Sequence, residues 1–243
     1  MPLYRDVGVV VRTHKLGETD RIITIVTQDS GKVRAVAKGV RKPGSRFGSR
    51  LEPLSHVQVQ LYRGRNLDVV NQVELVEIAN SLRSNLEATT DGLAMCEVVE
   101  QMAHDREPSP HLYRMLVGAL RQLNSAFSPL VLPALQLRLL AAEGVGPCVD
   151  QCIVCGTRDD LCAFDIVAGG VQCRTHKRGL AVSGEAMEIV QSILDGRVAV
   201  VLQRAETPTV VVHEVMDLAR AAMEHHLERR IRSSSLFKAP QAG

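Results

Sequence analysis

Residues 7–40, VGVVVRTHKLGETDRIITIVTQDSGKVRAVAKGV, contain three runs dominated by β-branched side chains, at 7–12, 21–27 and 32–40. Gly17 separates the first two, and Asp29-Ser30-Gly31 separates the second from the third; these residue types favour turns because they tolerate or stabilise tight backbone geometry. Further along, Val57, Val59 and Leu61 alternate with His56, Gln58 and Gln60, the period-two pattern of a strand with one buried face. A fifth run, LDVVNQVELVEI at 67–78, follows the turn Arg63-Gly64-Arg65-Asn66. Five short strands in about eighty residues predict a small barrel of OB type, although strand count suits an SH3-like barrel equally.

Beyond residue 82 the apolar period changes to that of a helix. Leu93, Cys96, Val99, Met102 and Ala103 share one face, and Leu112, Met115, Leu116, Leu120 and Leu123 share another. Pro108 and Pro110 separate these helices, Pro129 and Pro133 open a third through Leu135, Leu139 and Leu140, and Gly144 ends it. Ser183 with Glu185 and Glu188 reads as another helix start, and a long helix is expected from Thr209 to Ile231, burying Val212, Val215, Met216, Ala219 and Met223. The expected class is therefore α+β: an OB-type five-stranded nucleic-acid-binding domain at 1–80, then a helical domain at 81–243 with a zinc-binding insertion at about 148–180.

That insertion carries Cys152-Ile153-Val154-Cys155-Gly156, answered by Cys173-Arg174-Thr175-His176. Each pair can bend round one ion, and the seventeen residues between Cys155 and Cys173 suffice for a hairpin that brings the pairs together. Four protein ligands fill a tetrahedron and leave no position for a metal-bound water, so the spacing points to one structural zinc per chain. Gly156 and Gly169-Gly170 supply turns where such a knuckle needs them. Cys148 and Cys162 lie close enough in sequence to compete with His176 for the fourth place, and Cys96 belongs to a buried helical stripe.

The chain has 243 residues and a net charge of +2, but its basic residues are unevenly placed. Residues 1–50 hold eleven Lys or Arg against four Asp or Glu, and from Gly31 to Arg50 there are seven cations and no acid. A solvated face mixes both signs; a run of one sign is the footprint of a polyanion site. Lys38, Arg41, Lys42 and Arg46 are the expected phosphate contacts, with Arg34 and Arg50 weaker because strand direction could turn them away. Aromatics make up 3% of the chain and tryptophan is absent, so stacking platforms are scarce; Phe47 and Tyr62 are the candidates, and packing is an equal explanation for each.

Enzyme motifs are missing. Pro147-Cys148 lacks the following spacing and the upstream His-x-Glu of a zinc deaminase. Neither a glycine-rich phosphate loop nor a nucleophile elbow occurs, and His213-Glu214 has no second histidine at metalloprotease spacing. No helix rich in Arg, Asn and Gln stands out for base reading, which argues against a sequence-specific regulator, whereas an RNA-binding OB protein with a structural zinc ribbon remains an alternative. Six cysteines with two pairs at metal spacing suit a reducing compartment. The opening MPLYRDVGVV lacks a charged region followed by an apolar run, and no apolar stretch approaches bilayer length, so a cytoplasmic location without membrane partners is expected.

Several fragments, in order, resemble the RecO family of bacterial recombination mediators over nearly the whole chain. They are Tyr4 through Arg12, Leu16-Gly17-Glu18-Thr19-Asp20-Arg21-Ile22-Ile23, Ala37-Lys38-Gly39-Val40-Arg41-Lys42 with Ser45-Arg46-Phe47, Leu51-Glu52-Pro53, and His226-Leu227-Glu228-Arg229 with Arg232-Ser233. The family often has four cysteines in its knuckle; His176 stands in the last place here. The resemblance implies a protein of the RecF pathway of DNA repair that binds single- and double-stranded DNA and anneals complementary strands. It also implies that the protein engages the single-strand-binding protein (SSB) and, with RecR, helps load RecA onto coated single strands, with RecF an indirect partner. A cytoplasmic, nucleoid-associated location and the absence of catalytic residues follow from the same resemblance.

Overall fold

Leu3–Leu16 forms one strand, β1, longer than its apolar run predicts because it serves two neighbours. Its first half pairs antiparallel with β4 (His56–Tyr62), from Leu3↔Tyr62 to Val9↔His56, and its second half with β2 (Asp20–Thr27), from Gly8↔Thr27 to Leu16↔Asp20. A register shift between Val10 and Arg12 bends it from one partner to the other, as bulges do. β3 (Lys32–Ala37) pairs antiparallel with β2, and β5 (Asp68–Glu77) antiparallel with β4 and parallel with β3. The closed order β1-β2-β3-β5-β4 with a parallel β3–β5 joint is the OB arrangement, which strand counting could not separate from an SH3-like barrel. Val10, Ile23, Ile25, Val33, Val57, Val59 and Leu61 fill the barrel. The computed structural model describes residues 2–45, 47–77, 80–204 and 206–233.

The barrel closes on a short seam, Ala35↔Asp68 and Val36↔Val69. At its start Asp68 is fully buried. Its carboxylate accepts the Tyr4 hydroxyl at 2.5 Å, the Gly64 N–H at 2.9 Å and the Arg106 guanidinium at 2.8 Å. Burial favours its neutral form, yet these donors outweigh burial and hold its pKa below the ordinary value. The Tyr4 phenol is pushed upward by burial and by its bond to Asp68.

Three helices complete the first compact unit, which runs to residue 127 and takes in Arg232 and Ser233. They are α1 (Asn80–Ser84), α2 (Leu86–Met102) and α3 (Pro110–Ser125). Asn85 caps α2, its side chain accepting the Ala88 N–H at 3.0 Å. Cys96 is fully buried in α2, as its stripe predicts, and burial pushes its thiol up to about 12. Glu97, also buried, accepts the N–H groups of Arg232 and Ser233 at 3.1 and 2.8 Å and the Ser233 hydroxyl at 2.6 Å. Strands give way to helices after residue 77, while the compact unit continues to residue 127.

The second unit, residues 128–231, is built on α4 (Val131–Ala142), which is buried along most of its length and packs against α5 (Gly184–Leu194) and α7 (Thr209–His226). Between α4 and α5 lies a three-stranded sheet of order β7-β6-β8: β6 (Leu161–Asp165), β7 (Gly170–Cys173) and β8 (Leu180–Ala181). Ser183 caps α5 through the Ala186 N–H at 3.2 Å. Short α6 (Val198–Leu202) precedes α7. The closing helix ends at His226, not Ile231: Glu228 adopts φ +50°, and Arg229 N–H donates to the Glu224 carbonyl at 3.1 Å. This left-handed cap ordinarily uses glycine, so its sequence signal was lacking. Among the described residues no helix is long and apolar enough to cross a membrane.

Asp68→Ala should cost about 2 kcal/mol in urea melts, because it removes a buried acceptor from the Tyr4 phenol, the Gly64 N–H and the Arg106 guanidinium. The depressed carboxyl pKa makes its stabilisation complete above the ordinary carboxylate range and lost as pH falls through the folded value. Asp68→Asn should flatten that acid limb; a variant whose stability parallels the parent at every pH would contradict the role given to Asp68.

Candidate nucleic-acid interface and metal centre

The basic loop leaves the barrel after Ala37 and returns at Phe47 and Leu51, which are 2% and 1% exposed. Phe47 is therefore an anchor in the barrel core and offers no stacking face, while Tyr62 is 37% exposed. The expected strand to residue 40 stops at Ala37 because Gly39 turns to φ +66° and gives its N–H to the Asp20 carboxylate at 2.8 Å. Asp20 also accepts the Thr19 hydroxyl at 2.8 Å. Arg41 donates its N–H to the Thr19 carbonyl at 2.9 Å and its guanidinium to the Gly17 carbonyl at 3.3 Å. The β1–β2 turn and the start of the basic loop thus form one hydrogen-bonded structure. The Gly39 N–H, then the Thr19 hydroxyl, with help from the Lys38 and Lys42 charges, keep the Asp20 carboxyl below its usual range.

Several nearby cations are spent within the fold. Arg12 pairs with Glu100 at 2.6 Å, Arg21 with Glu52 at 2.6 Å, and Lys32 with Asp105 at 3.4 Å. Among the described residues, Lys38, Arg41 and Lys42 are exposed and enter no ion pair within 4.0 Å. Arg34 is exposed on the outer face of β3, between the inward Val33 and Ala35, and Arg50 is exposed in a 3-10 turn at Gly48–Leu51. Arg46 lies outside the described residues. OB barrels receive oligonucleotides on the β2–β3 face and on the β1–β2 and β4–β5 loops. The β4–β5 loop carries Arg63 and Arg65, both exposed, and leads into Asp68 beside Ala35. Arg63 sits 5.2 Å from the Tyr4 ring centroid, an attractive cation–π separation. Sequence reasoning took these two arginines as mere turn residues, because only the register reveals that their loop lies next to the strand bearing Arg34.

In the second unit the two halves of the knuckle meet. Cys148 and Gly170 form a β-bridge, the Ile153 N–H donates to the Val171 carbonyl at 3.0 Å, and the Gly156 N–H closes a turn onto the Cys152 carbonyl at 2.8 Å. Gly156 has φ +74°, and a Cβ on Gly170 would stand 2.2 Å from Ile153 Cγ2, so glycine is required at both positions. The hairpin β6–β7 delivers Cys173, and a 3-10 turn at Arg174–His176 delivers the ring. Ligand atoms of Cys152, Cys155, Cys173 and His176 all lie within 4.8 Å of one another. Cys155 Sγ to Cys173 Sγ and Cys152 Sγ to His176 Nδ1 are both 3.8 Å, and Cys173 Sγ to His176 Nδ1 is 3.3 Å. Zinc–sulfur bonds of about 2.3 Å at tetrahedral angles set sulfurs about 3.8 Å apart, so the set is compatible with a zinc site.

Electrostatics favour thiolates at Cys152 and Cys173. Burial opposes ionising Cys152, but backbone groups of Cys173, Cys155 and Val154 overcome it and draw the thiol down to about 6. Cys173 is likewise lowered against burial, by backbone groups of His176 and Thr175 and by the His176 ring. Thiolates are the metal-binding form. Cys148 instead turns to the Asp150 carboxylate at 3.3 Å, and Cys162 lies on β6; neither joins the four-ligand cluster.

Two family models match this chain. That described as recombination protein O, N terminal, matches residues 1–79, and that described as recombination protein O, C terminal, matches residues 83–235. The barrel lies within the first match and the Cys/His cluster within the second, and the chain belongs to the recombination protein O family, which serves DNA repair and recombination as a mediator.

Proposed function

We propose that this protein binds single- and double-stranded DNA through the loop that carries Lys38, Arg41, Lys42 and Arg46, with Arg34 and Arg50 at its margins. It anneals complementary strands and, with RecR, helps load RecA onto single strands coated by SSB in the RecF pathway, in the cytoplasm at the nucleoid. The observation that carries the reading is an exposed, acid-free loop held on an OB barrel, beside which Arg12, Arg21 and Lys32 are already paired. Annealing requires two phosphate backbones to approach; a dense cationic surface lowers their repulsion without reading sequence, and no bond is made or broken. Catalytic residues are not needed for that work. A zinc ion held by Cys152, Cys155, Cys173 and His176 would hold the second unit together, and its four ligands would leave no open position for chemistry.

Neutralising about four phosphates on single strands gives a slope of log affinity against log salt near −3, at roughly −0.7 per contact. Changing Arg41, Lys42 and Arg46 together to Glu should flatten this slope and suppress binding to every sequence, at little cost in stability because the substitutions lie on a loop. An unchanged slope in the folded triple variant would move the DNA elsewhere, first to the zinc-side cluster Arg174, Lys177 and Arg178.

Metal analysis should return about one zinc per chain. Cys155→Ser should lower that content and melt the second unit first, since structural zinc contributes directly to folding. Cys148→Ser should be nearly silent. Full zinc content and an unchanged melting curve in the Cys155 variant would overturn the ligand assignment.

A further inference from the structure

An acid stands inside the cationic surface. Residues 31–50 contain none, yet the fold brings the Asp20 carboxylate from the neighbouring turn to the Gly39 N–H at 2.8 Å, beside Lys38 and Lys42. On charge alone this position is unfavourable, because a carboxylate repels the phosphates that its neighbours attract. Its hydrogen bonds suggest why it is there. Gly39, at φ +66°, is where the chain turns out of β3, and its N–H has left the sheet ladder. The Asp20 carboxylate takes that N–H and is itself steadied by the Thr19 hydroxyl at 2.8 Å. Through Thr19 the same turn also accepts the Arg41 N–H at 2.9 Å.

We propose that Asp20 is a positioning residue for DNA binding: it fixes the exit of the basic loop so that Lys38, Arg41 and Lys42 present their charges together, and thereby raises affinity for a polyanion that it repels. This rests on the reading that DNA uses the basic loop. Three cations within five residues repel one another, and a free loop would spread them. A carboxylate anchored below the turn lowers that repulsion and holds the backbone in one shape. Order established before binding leaves less conformational freedom to be lost when the strand arrives.

Asp20→Asn and Asp20→Ala remove the same charge, but only Asn keeps an oxygen that accepts the Gly39 N–H. Binding of a labelled oligo(dT) strand across a salt series separates the two effects. Asp20→Asn should bind at least as tightly as the parent with the same slope. Asp20→Ala should bind roughly tenfold more weakly, the loss expected of a hydrogen bond to a charged group. Its slope should shrink by about one, as when one phosphate contact is lost. Should Asp20→Ala fail to fold, Thr19→Val, which removes only the hydroxyl that steadies the carboxylate, must shift slope and affinity in the same direction by less. Equal or tighter binding by Asp20→Ala with an unchanged slope would make Asp20 a simple electrostatic brake and overturn the proposal. The Arg41→Glu, Lys42→Glu double variant run alongside keeps the two failures apart: if it binds normally, the basic loop is not the DNA surface, whereas if it loses binding while both Asp20 variants match the parent, only the positioning role falls.

Discussion

The barrel depends on a seam of two residue pairs between β3 and β5, held by the buried carboxylate of Asp68. β3 meets β5 at Ala35 and Val36 alone, and Ala37 is its last residue. Beyond that point its β5 side has no partner strand, so the chain is free to turn outward into the basic loop. The same seam places the β4–β5 loop, with Arg63 and Arg65, next to the strand that carries Arg34. One buried carboxylate therefore closes the barrel and sets where its cations emerge, while a second, the half-buried Asp20, is the one proposed to shape how they are displayed.

The second unit follows a comparable logic with sulfur in place of oxygen. Its sheet strands are two to five residues long, too short to fix a hairpin by backbone pairing alone. An ion held by the four Cys/His side chains drawn from both ends of the hairpin would supply the missing constraint. Backbone groups aimed at Cys152 and Cys173 favour thiolates there, so the protein prepares the charge that a dication would neutralise. With His176 in the fourth place, such a site would carry one fewer negative charge than a four-cysteine knuckle.

What could be read from the sequence was whatever local spacing encodes. The alternation at 56–61, the β-branched run at 21–27 and the helical stripes all became elements close to where they were expected, and both ligand pairs met. Features set by tertiary contact were not legible. The ends of β1 carry Arg5, Asp6, His14 and Lys15, which conceal a strand that only its two partners define. The stop of α7 uses Glu228 in a left-handed conformation where a sequence rule looks for glycine. Phe47, isolated in a polar stretch, read as either a stacking platform or a packing residue, and only the fold places it in the barrel core. The OB assignment itself came from a parallel joint between strands separated by thirty residues, from Ala37 to Asp68, that no local pattern reports.

On the proposed function, a cationic loop on an OB barrel brings two DNA backbones together and does so on strands already covered by protein. The measurement that bears on it most directly is annealing of complementary single strands, naked and coated with single-strand-binding protein, followed by the fluorescence of duplex formation. The parent is expected to accelerate both reactions, and the folded variant with Glu at Arg41, Lys42 and Arg46 to accelerate neither. Acceleration of naked strands alone would describe a generic polyanion binder and contradict the mediator role, and full activity in the variant would contradict the loop.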